Sequence, residues 1–262
     1  MPRKYTYGPF PSRRLGLSLG VDVLPKQKIC TFNCVYCEIG PTIQLVPPEY
    51  RFKAPPSLEF GVELKDIFKH FPHLDSITFG YNGEPTLNES LLEFYEITAN
   101  VRAEAKWNGE KPKITIFTNS STVYSQEIRD RLTKFDLIVA KLDTALNSDF
   151  QRTNSPHITM DINLIIESLE KLKKNIKTSK LAIQCLFYNS YREDFISNDN
   201  NRNIEKLALA IKKINPDIVQ IYSIARIPAQ YFVYSIDTHR KKEILKIFKE
   251  IVNNDRIKIE YY

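Results

Sequence analysis

The segment LGLSLGVDVLPKQKICTFNCVYC (residues 15–37) decides how the rest of the chain is interpreted. Residues 15–23 are apolar nearly throughout, which is typical of a strand buried on both faces of a sheet. Three cysteines, Cys30, Cys34 and Cys37, then follow where a loop at the carboxyl end of that strand would lie. Only one of the four cysteines in the chain lies elsewhere. We therefore expect the three clustered thiols to act together at that edge of the sheet.

Outward from this segment, short runs rich in β-branched or aliphatic residues alternate with segments of helical period. The later candidate strands are DSITFG (75–80), KITIFT (113–118), DLIVAKLD (136–143), KLAIQCLF (180–187) and DIVQIYS (217–223). The candidate helices lie near residues 59–71, 88–104, 123–134, 160–175 and 203–214. Thr159 and Asn203 are the candidate N-caps of the last two, a further helix follows Thr238, and RIKIEYY is a candidate final strand. Strands that alternate with helices in this way predict a parallel sheet covered by helices, an α/β fold.

The composition is that of an ordinary folded protein. Hydrophobic residues make up 42% of the chain and charged residues 26%, which argues against disordered and fibrous classes. No apolar run approaches the length of a membrane span, and the N-terminus MPRKYTYGPF lacks the hydrophobic segment of a secretion signal. We therefore expect a cytoplasmic protein with no membrane partner. The net charge of +6 permits an anionic partner such as RNA, although lysine-rich, solvated helix faces explain it equally well.

The cysteine spacing, C-x3-C-x2-C, indicates metal or redox chemistry more than a disulfide framework. A structural zinc site needs four ligands, and no histidine lies near the three cysteines in the sequence. An iron–sulfur cubane held by three cysteines leaves one iron with an open position, as a catalytic cluster requires. A structural zinc loop is the alternative interpretation.

This spacing, with the aromatic Tyr36 before the last cysteine, is similar to the signature of the radical S-adenosylmethionine (SAM) superfamily. The resemblance implies that Cys30, Cys34 and Cys37 hold a 4Fe–4S cluster, and that Tyr36 is among the residues that bind the cofactors. It implies reductive cleavage of SAM to a 5′-deoxyadenosyl radical, which abstracts hydrogen from a substrate. It also implies a reductant such as flavodoxin or ferredoxin.

The resemblance also implies a fold, a partial (β/α)6 barrel whose parallel sheet carries its helices outside. We expect a single domain over residues 1–262. Within it we predict an N-terminal extension (1–14), a barrel core (15–225), and a C-terminal region with a helix and a strand (226–262).

The turn NGEP, formed by Asn82, Gly83, Glu84 and Pro85, follows the second candidate strand. By itself such a turn is an ordinary strand-to-helix connection. One βα unit after the cysteines, it resembles the second motif of the superfamily, usually GGEP, which is implied to hold the methionine ammonium group of SAM. Asn82 stands where the first glycine of that motif is common.

A wider resemblance covers most of the chain. The segments YGPFPSRRLGLSLGVDVLP, CEIG, NGEPTL, FTNS, KLDTALNSDFQRTNSPH, IQCLF and YSIARIP are similar to the radical proteins akin to the wyosine-tRNA (imidazoguanosine) synthases. The tRNA enzyme of that group is implied to carry a further cluster, and the cysteines for one are missing here.

Polar residues at the ends of apolar strands are the remaining site candidates. Lys141 and Asp143 share one face of their strand, so they either touch a ligand, as catalytic residues, or pair with each other. Asn119 ends the third strand and either contacts the ribose of the cofactor or caps the next helix.

On the fifth strand, Gln184 and Cys185 must face opposite ways. If Gln184 faces the cavity and the cofactor, Cys185 packs under a helix as a buried thiol. The alternative, which the resemblance to radical epimerases implies, is a catalytic cysteine that donates hydrogen to a substrate radical. Arg226, beyond the sixth strand, either clamps a carboxylate or phosphate near the cofactor or forms a surface ion pair.

Three functions are compatible with these features. The first is an enzyme that acts on RNA, with tRNA as the candidate substrate. The second is an enzyme that modifies a peptide or protein, of the epimerase or glycyl-radical activase type. The third is a non-enzymatic metal-binding module, which predicts zinc in place of iron.

Overall fold

The computed structural model describes residues 3–158 and 160–262. The strands are β1 (Thr6–Ser12), β2 (Gly16–Val21), β3 (Ile29–Cys30), β4 (Gln44–Leu45), β5 (Ser76–Phe79), β6 (Lys113–Thr118), β7 (Leu137–Lys141), β8 (Lys180–Ser190), β9 (Ile218–Ser223), β10 (Val233–Ser235) and β11 (Lys258–Tyr261). The helices are α1 (Glu59–His70), α2 (Leu91–Glu104), α3 (Gln126–Leu132), α4 (Asn147–Asn154), α5 (Ile162–Asn175), α6 (Asn201–Ile214) and α7 (Thr238–Val252).

The main sheet runs in the order β1-β2-β5-β6-β7-β8-β9-β11. From β2 to β11 every neighbouring pair on this path is parallel, whereas β1 pairs antiparallel with β2 and β10 pairs antiparallel with β8. Parallel neighbours need crossover connections, which the intervening helices supply. The predicted α/β half-barrel is thus confirmed, with a strand at each of the six predicted places.

The two faces of the sheet differ in chemistry. Ile77, Ile116 and Cys185 are fully buried on the outer face, within the core that the helices cover. The inner face carries hydrogen-bonded polar side chains, such as Ser18 with Thr78 (Oγ to Oγ1, 2.6 Å). Burying polar side chains costs more free energy than burying apolar ones, so a barrel interior that served only to pack would be apolar. The polar lining therefore indicates a cavity for polar ligands.

The helix starts differ from the predicted N-caps. Thr159 lies outside the described residues, and α5 is capped by Asp161, whose carboxylate accepts from the Asn163 amide at 2.7 Å. The prediction of Asn203 as a cap is wrong, because Asn200 accepts from the Asn203 amide at 2.9 Å and Asn203 is buried inside α6. An asparagine three residues earlier gives the same capping geometry. No helix that the structure describes is long and apolar enough to cross a membrane.

Five of these strands and helices had no counterpart among the predicted ones: β1, β3, β4, β10 and α4. β1 lies within the predicted N-terminal extension. Its sequence TYGPFPS does not predict a strand, because glycine and proline are rare in strand interiors. α4 has the polar sequence NSDFQRTN, in which Asp149, Thr153 and Asn154 are nevertheless buried. Polar residues are buried there by tertiary contacts, which leave no apolar period to read in the sequence.

Candidate active site

The cysteine loop, residues 29–40, leaves β3 and folds back on the end of α4. Cys30 ends β3, and a tight turn joins the next two thiols, with the Cys37 amide donating to the Cys34 carbonyl at 3.2 Å. The amides of Asn33 and Val35 donate to the carbonyls of Asn154 and Thr153, each at 3.0 Å. The backbone thus holds all three cysteines on one anchored loop.

Each of the three cysteine sulfurs accepts a hydrogen bond from a side-chain nitrogen of a different element. Asn119 Nδ2 lies 3.4 Å from Cys30 Sγ, and Asn154 Nδ2 lies 3.4 Å from Cys34 Sγ. Lys28 Nζ lies 3.1 Å from Cys37 Sγ. Donors aimed at sulfur stabilise the thiolate form and tune a bound iron–sulfur cluster.

Lys28 is a charge without a carboxylate partner. It is 5% exposed, and its ammonium donates to the Cys37 sulfur and to the Gly40 carbonyl at 2.5 Å. Among the residues that the structure describes, no carboxylate forms an ion pair with it. A buried ammonium group needs a negative charge nearby. The loop therefore fits cysteines in the thiolate form that hold a negatively charged group.

The thiols of Cys30 and Cys34 are poorly acidic. Burial, with a contribution from the neighbouring Cys34, raises the pKa of Cys30 to about 12. Burial, with a contribution from Cys37, raises the pKa of Cys34 to about 11. Binding of a metal group to these thiols must therefore release protons. Within residues 3–158 and 160–262, no group of three or more His, Cys, Asp or Glu side chains is arranged around a single metal ion, whereas a cluster of several irons binds each thiolate at a separate iron.

The NGEP turn packs directly against the cysteine loop. The Glu84 amide donates to the Ile29 carbonyl at 3.1 Å, and the Ile29 amide donates to the Asn82 carbonyl at 3.3 Å. A Cβ on Gly83, whose φ is +130°, would overlap the Ile29 carbonyl oxygen, so only glycine fits there. The Asn82 side chain donates to the Pro25 and Lys26 carbonyls, each at 2.8 Å. The asparagine that replaces the usual glycine thus ties the turn to the segment before the cysteine loop.

Glu84 is 1% exposed, and protein groups satisfy its carboxylate. The carboxylate accepts from the Thr86 hydroxyl at 2.6 Å, the Thr118 hydroxyl at 2.9 Å and the backbone amide of Asn119 at 2.6 Å. Burial raises the pKa of Glu84 above its ordinary value, although these hydrogen bonds oppose the shift. The carboxylate therefore ties the turn to the end of β6.

Asn119, at that end of β6, contacts the cysteine loop twice, through Cys30 and through the Thr31 hydroxyl at 2.8 Å. Its side-chain oxygen accepts from the Ser121 amide at 3.0 Å, which fixes the amide orientation. The structure thus brings together three of the predicted site elements: the cysteines, the NGEP turn and Asn119.

Lys141 and Asp143 lie 3.4 Å apart (Nζ to Oδ1), and they belong to a wider buried network. Asp143 is 2% exposed and accepts from the Tyr36 hydroxyl, from Asn154 Nδ2 at 3.0 Å and from the Leu186 amide at 2.8 Å. Asn154 also donates to Cys34, so the network ends at the cysteine loop.

The Lys141 ammonium lies between two aromatic rings, 4.8 Å from the centre of Tyr36 and 4.9 Å from that of Tyr222. It also donates to the Tyr222 hydroxyl at 2.5 Å. Burial by itself would lower the pKa of Lys141, but Asp143 and Tyr222 raise it above its ordinary value. Lys141 is therefore a permanent cation rather than a free amine nucleophile.

The remaining predicted residues are spread over the sheet. Gln184 faces the interior and donates to Gln220 at 3.1 Å, whereas Cys185 lies on the other face, fully buried among the outer core. Burial raises the pKa of the Cys185 thiol well above its usual value. Arg226 is 68% exposed and pairs with Glu38 of the cysteine loop at 3.3 Å.

Sequence reasoning missed three residues of the site: Lys28, Asn154 and Tyr222. Tyr222 could have been found by strand alternation, because it shares a face with Gln220 on β9. Asn154 lies in the quoted segment KLDTALNSDFQRTNSPH, but its contacts depend on α4, which was not predicted. Lys28 lies two residues before Cys30 and gives no pattern of its own.

Residues 24–195 match the family model of the Radical SAM superfamily, a span that contains the cysteine loop, the NGEP turn and β5 to β8. This chain belongs to the radical SAM superfamily. Radical SAM proteins bind a 4Fe–4S cluster and S-adenosylmethionine, which are the cofactors of this chain, and they need a reductant.

Two curated relatives are UPF0026 proteins. That of Methanocaldococcus jannaschii is 28% identical over 253 residues, which cover 97% of this chain and 74% of the relative. That of Synechocystis is 30% identical over 217 residues, which cover 82% and 73%.

Solved structures share the radical SAM fold. Streptococcus suis SuiB superposes with a TM-score of 0.61 at 12% identity, over 93% of this chain and 49% of SuiB. This chain thus spans about half the length of SuiB. TYW1, solved with a lysine–pyruvate adduct bound, has a TM-score of 0.58 at 13% identity, over 89% of this chain and 73% of TYW1. These likenesses establish the fold alone. The match to the superfamily model identifies the chain as a radical SAM enzyme.

Proposed function

We propose that Cys30, Cys34 and Cys37 hold the 4Fe–4S cluster of this enzyme, and that the missing fourth cysteine leaves one iron for S-adenosylmethionine. The observation that carries the proposal is the set of three N–H donors, one aimed at each sulfur. Side chains from three separate parts of the chain would not converge on thiols that merely fill space.

When bound, the cluster supplies the electron that cleaves S-adenosylmethionine reductively, and the cleaved cofactor supplies the radical that takes hydrogen from the substrate. The residues of the chain bind and orient these groups. Lys28 places a positive charge beside the sulfurs, and Asn119 and Asn154 place neutral hydrogen-bond donors there. Flavodoxin or ferredoxin is the proposed electron donor.

The NGEP turn is the proposed binding segment for the methionine end of S-adenosylmethionine. Gly83 lets the turn lie against Ile29, beside Cys30, so that backbone groups of residues 82–85 face the loop that holds the cluster. Because protein donors satisfy the Glu84 carboxylate, its role is to fix the turn, and the backbone is left to contact the ammonium group. Tyr36, Gln184 and Arg226 remain the proposed contacts for the rest of the cofactor.

Lys141 and Asp143 are proposed as positioning residues. Asp143 holds the Tyr36 hydroxyl and the Asn154 side-chain amide behind Cys34, and Lys141 pairs with Asp143 inside the barrel.

Anaerobic reconstitution with iron and sulfide tests the cluster assignment. We expect about four irons per chain, and formation of 5′-deoxyadenosine when dithionite and S-adenosylmethionine are added. Cys34→Ala should lose the iron and the cleavage activity together. Cys185→Ala is the matched control, since it removes one thiol from the opposite face of the sheet.

Two outcomes would contradict the cluster assignment. One is purification with tightly bound zinc and no cleavage of S-adenosylmethionine, as the metal-binding module predicts. The other is unchanged iron content in Cys34→Ala.

We propose RNA as the substrate, with tRNA as the candidate. Exposed aromatic and basic side chains cluster on the loops after β8 and β9. Tyr191 stacks on Tyr234 with ring centres 4.2 Å apart, and Tyr231 is 88% exposed. The Arg192 guanidinium lies 5.0 Å from the centre of the Phe232 ring. Aromatic rings and arginine planes of this kind stack on unpaired bases, and the net charge of +6 favours a polyanion.

A gel-shift titration with cellular tRNA at several salt concentrations tests this substrate. We expect binding that weakens with salt and that Tyr231→Ala impairs several-fold, whereas Tyr261→Ala, on the edge strand β11 and outside this cluster of aromatic side chains, should not. Structures of SuiB bound to precursor peptide SuiA make a peptide the competing substrate. Modification of a peptide pool in a mass-shift screen, with no tRNA binding, would favour that alternative.

A further inference from the structure

A second cavity of about 750 Å³ opens at the opposite end of the barrel, where the parallel strands begin. It lies below the polar inner face of the sheet, which contributes Ser76, Thr115 and Gln220 to its wall. Arg14 and Lys113 add positive charge, and Tyr262 closes one side. No feature of the proposed radical chemistry uses this cavity.

Arg14 is the unusual group in its wall. The guanidinium carbon lies 4.4 Å from the centre of the Tyr222 ring, which holds its plane inside the barrel. The terminal nitrogen Nη1 is buried and has no hydrogen-bond partner. Among the described residues no carboxylate forms an ion pair with Arg14. The atoms Nε and Nη2 are not buried in this way and have no hydrogen-bond partner among the described residues, so they are the ones that an anion in the cavity can reach.

The acidic residues of the wall do not supply that anion. Asp75 accepts a hydrogen bond from the Leu17 amide at 2.7 Å, and Glu260 pairs with Lys258 at 2.8 Å. Glu110 is exposed on the loop between α2 and β6. The charge of Arg14 is thus directed to the space of the cavity.

We propose that this cavity binds a small anionic molecule whose carboxylate or phosphate group pairs with Arg14. The planar fork of a guanidinium matches both groups through two parallel hydrogen bonds. The hydroxyls and amide of Ser76, Thr115 and Gln220 suit the polar remainder of such a ligand. A small molecule fits better than a nucleic acid, because a cavity of about 750 Å³ has the volume of a small-molecule site.

The cavity adjoins the active-site network through one residue. Tyr222 stacks on Arg14, and its hydroxyl accepts from Lys141 at 2.5 Å. An anion on Arg14 therefore lies one side chain away from the Lys141 and Asp143 pair. The proposal does not depend on the cluster assignment, since its test needs neither iron nor S-adenosylmethionine.

Isothermal titration of the full chain with inorganic phosphate and with succinate tests the proposal, with chloride at equal ionic strength as the reference. We expect saturable binding of at least one of the two anions, and the preferred one identifies a phosphate or a carboxylate ligand. Arg14→Gln should weaken binding at least tenfold. Arg13→Gln is the matched control, because it removes the same charge from the neighbouring, exposed arginine.

Arg14→Lys keeps the charge but not the fork, and it replaces Arg14→Gln in the comparison should the glutamine variant fail to fold. Weaker binding in Arg14→Lys than in Arg13→Gln supports the site. The proposal is overturned if neither anion binds more than chloride does, or if Arg13→Gln loses as much affinity as the Arg14 variant.

Discussion

Asp22 carries a half-buried carboxyl group directly after β2. Its Oδ1 accepts from the Leu24 amide at 3.1 Å, and burial raises its pKa to about 6. A folded-state pKa above the unfolded value of about 4 means that the native state favours the protonated acid. The resulting stability is fully present below about pH 4 and is lost as the pH rises through 6.

We therefore predict that Asp22→Asn raises the free energy of unfolding at pH 7.5 by about 1–2 kcal/mol and changes it little at pH 4. Asparagine retains the acceptor for the Leu24 amide and removes only the buried charge. Urea denaturation at both pH values measures the difference. The exposed Asp255→Asn controls for the loss of one negative charge, and an equal gain in that variant would contradict the prediction.

Lys28 leads to a prediction about the proposed cluster. Its ammonium group beside the Cys37 sulfur would stabilise the reduced, more negative state of a cluster held there. Lys28→Gln should make the midpoint potential more negative by on the order of 50 mV, since a hydrogen bond from a charged group is worth about 1.5 kcal/mol. A redox titration followed by electron paramagnetic resonance measures it. Lys26→Gln, at an exposed position, should leave the potential where it is.

At the scale of elements, the contact between the NGEP turn and β3 depends on one missing side chain. Gly83→Ala should destabilise the chain by about 2 kcal/mol more than Gly109→Ala does. Gly109 has nearly the same backbone conformation, φ +131° against +130°, but open space around its Cβ position. The difference between the two variants in urea denaturation therefore isolates the overlap with the Ile29 carbonyl. Equal losses would show that the turn and β3 do not pack as described.

The outer face of β8 gives a prediction about Cys185. Because its side chain packs in the core beneath the helices, Cys185→Ala should cost about 1 kcal/mol of stability through the lost sulfur. Its reconstituted form should cleave S-adenosylmethionine at the rate of the unchanged protein, measured as 5′-deoxyadenosine formed under dithionite. A loss of turnover with the native substrate, at unchanged stability, would restore Cys185 as a hydrogen donor.

At the scale of the whole molecule, the Asp143 network joins the cysteine loop to three other parts of the fold. Its partners are Tyr36 in the loop, Lys141 on β7, Asn154 on α4 and the Leu186 amide on β8. Because Asp143→Asn leaves the Lys141 charge without its partner, we predict a loss of about 3 kcal/mol.

A double-mutant cycle with Lys141→Met separates the pair from the rest of the network. The double variant should be more stable than the sum of the two single losses predicts, by about 1–3 kcal/mol. Strict additivity in urea denaturation would mean that Lys141 and Asp143 do not stabilise each other.

The match between sequence and structure is good for strands and weaker for contacts. DLIVAKLD could be recognised as a strand, and its alternation correctly placed Lys141 on the interior face with Gln184. The same reasoning gave no means of finding Asn154, which meets Cys34 and Asp143 from the end of a polar helix distant in sequence. The cap of α6 was misplaced because Asn200 and Asn203 have equal capping propensity. The tertiary structure, which starts α6 at Asn201, makes Asn200 the cap.

The sequence by itself determined the parallel α/β sheet and the cysteine loop, because apolar periodicity and cysteine spacing are local along the chain. Only the tertiary structure decided which side chains meet the sulfurs, which face of β8 carries Cys185, and where the Arg14 charge lies. These contacts join side chains that are far apart in sequence and are buried together. The extent of burial sets the free-energy cost of an unpaired charge or hydrogen-bond donor.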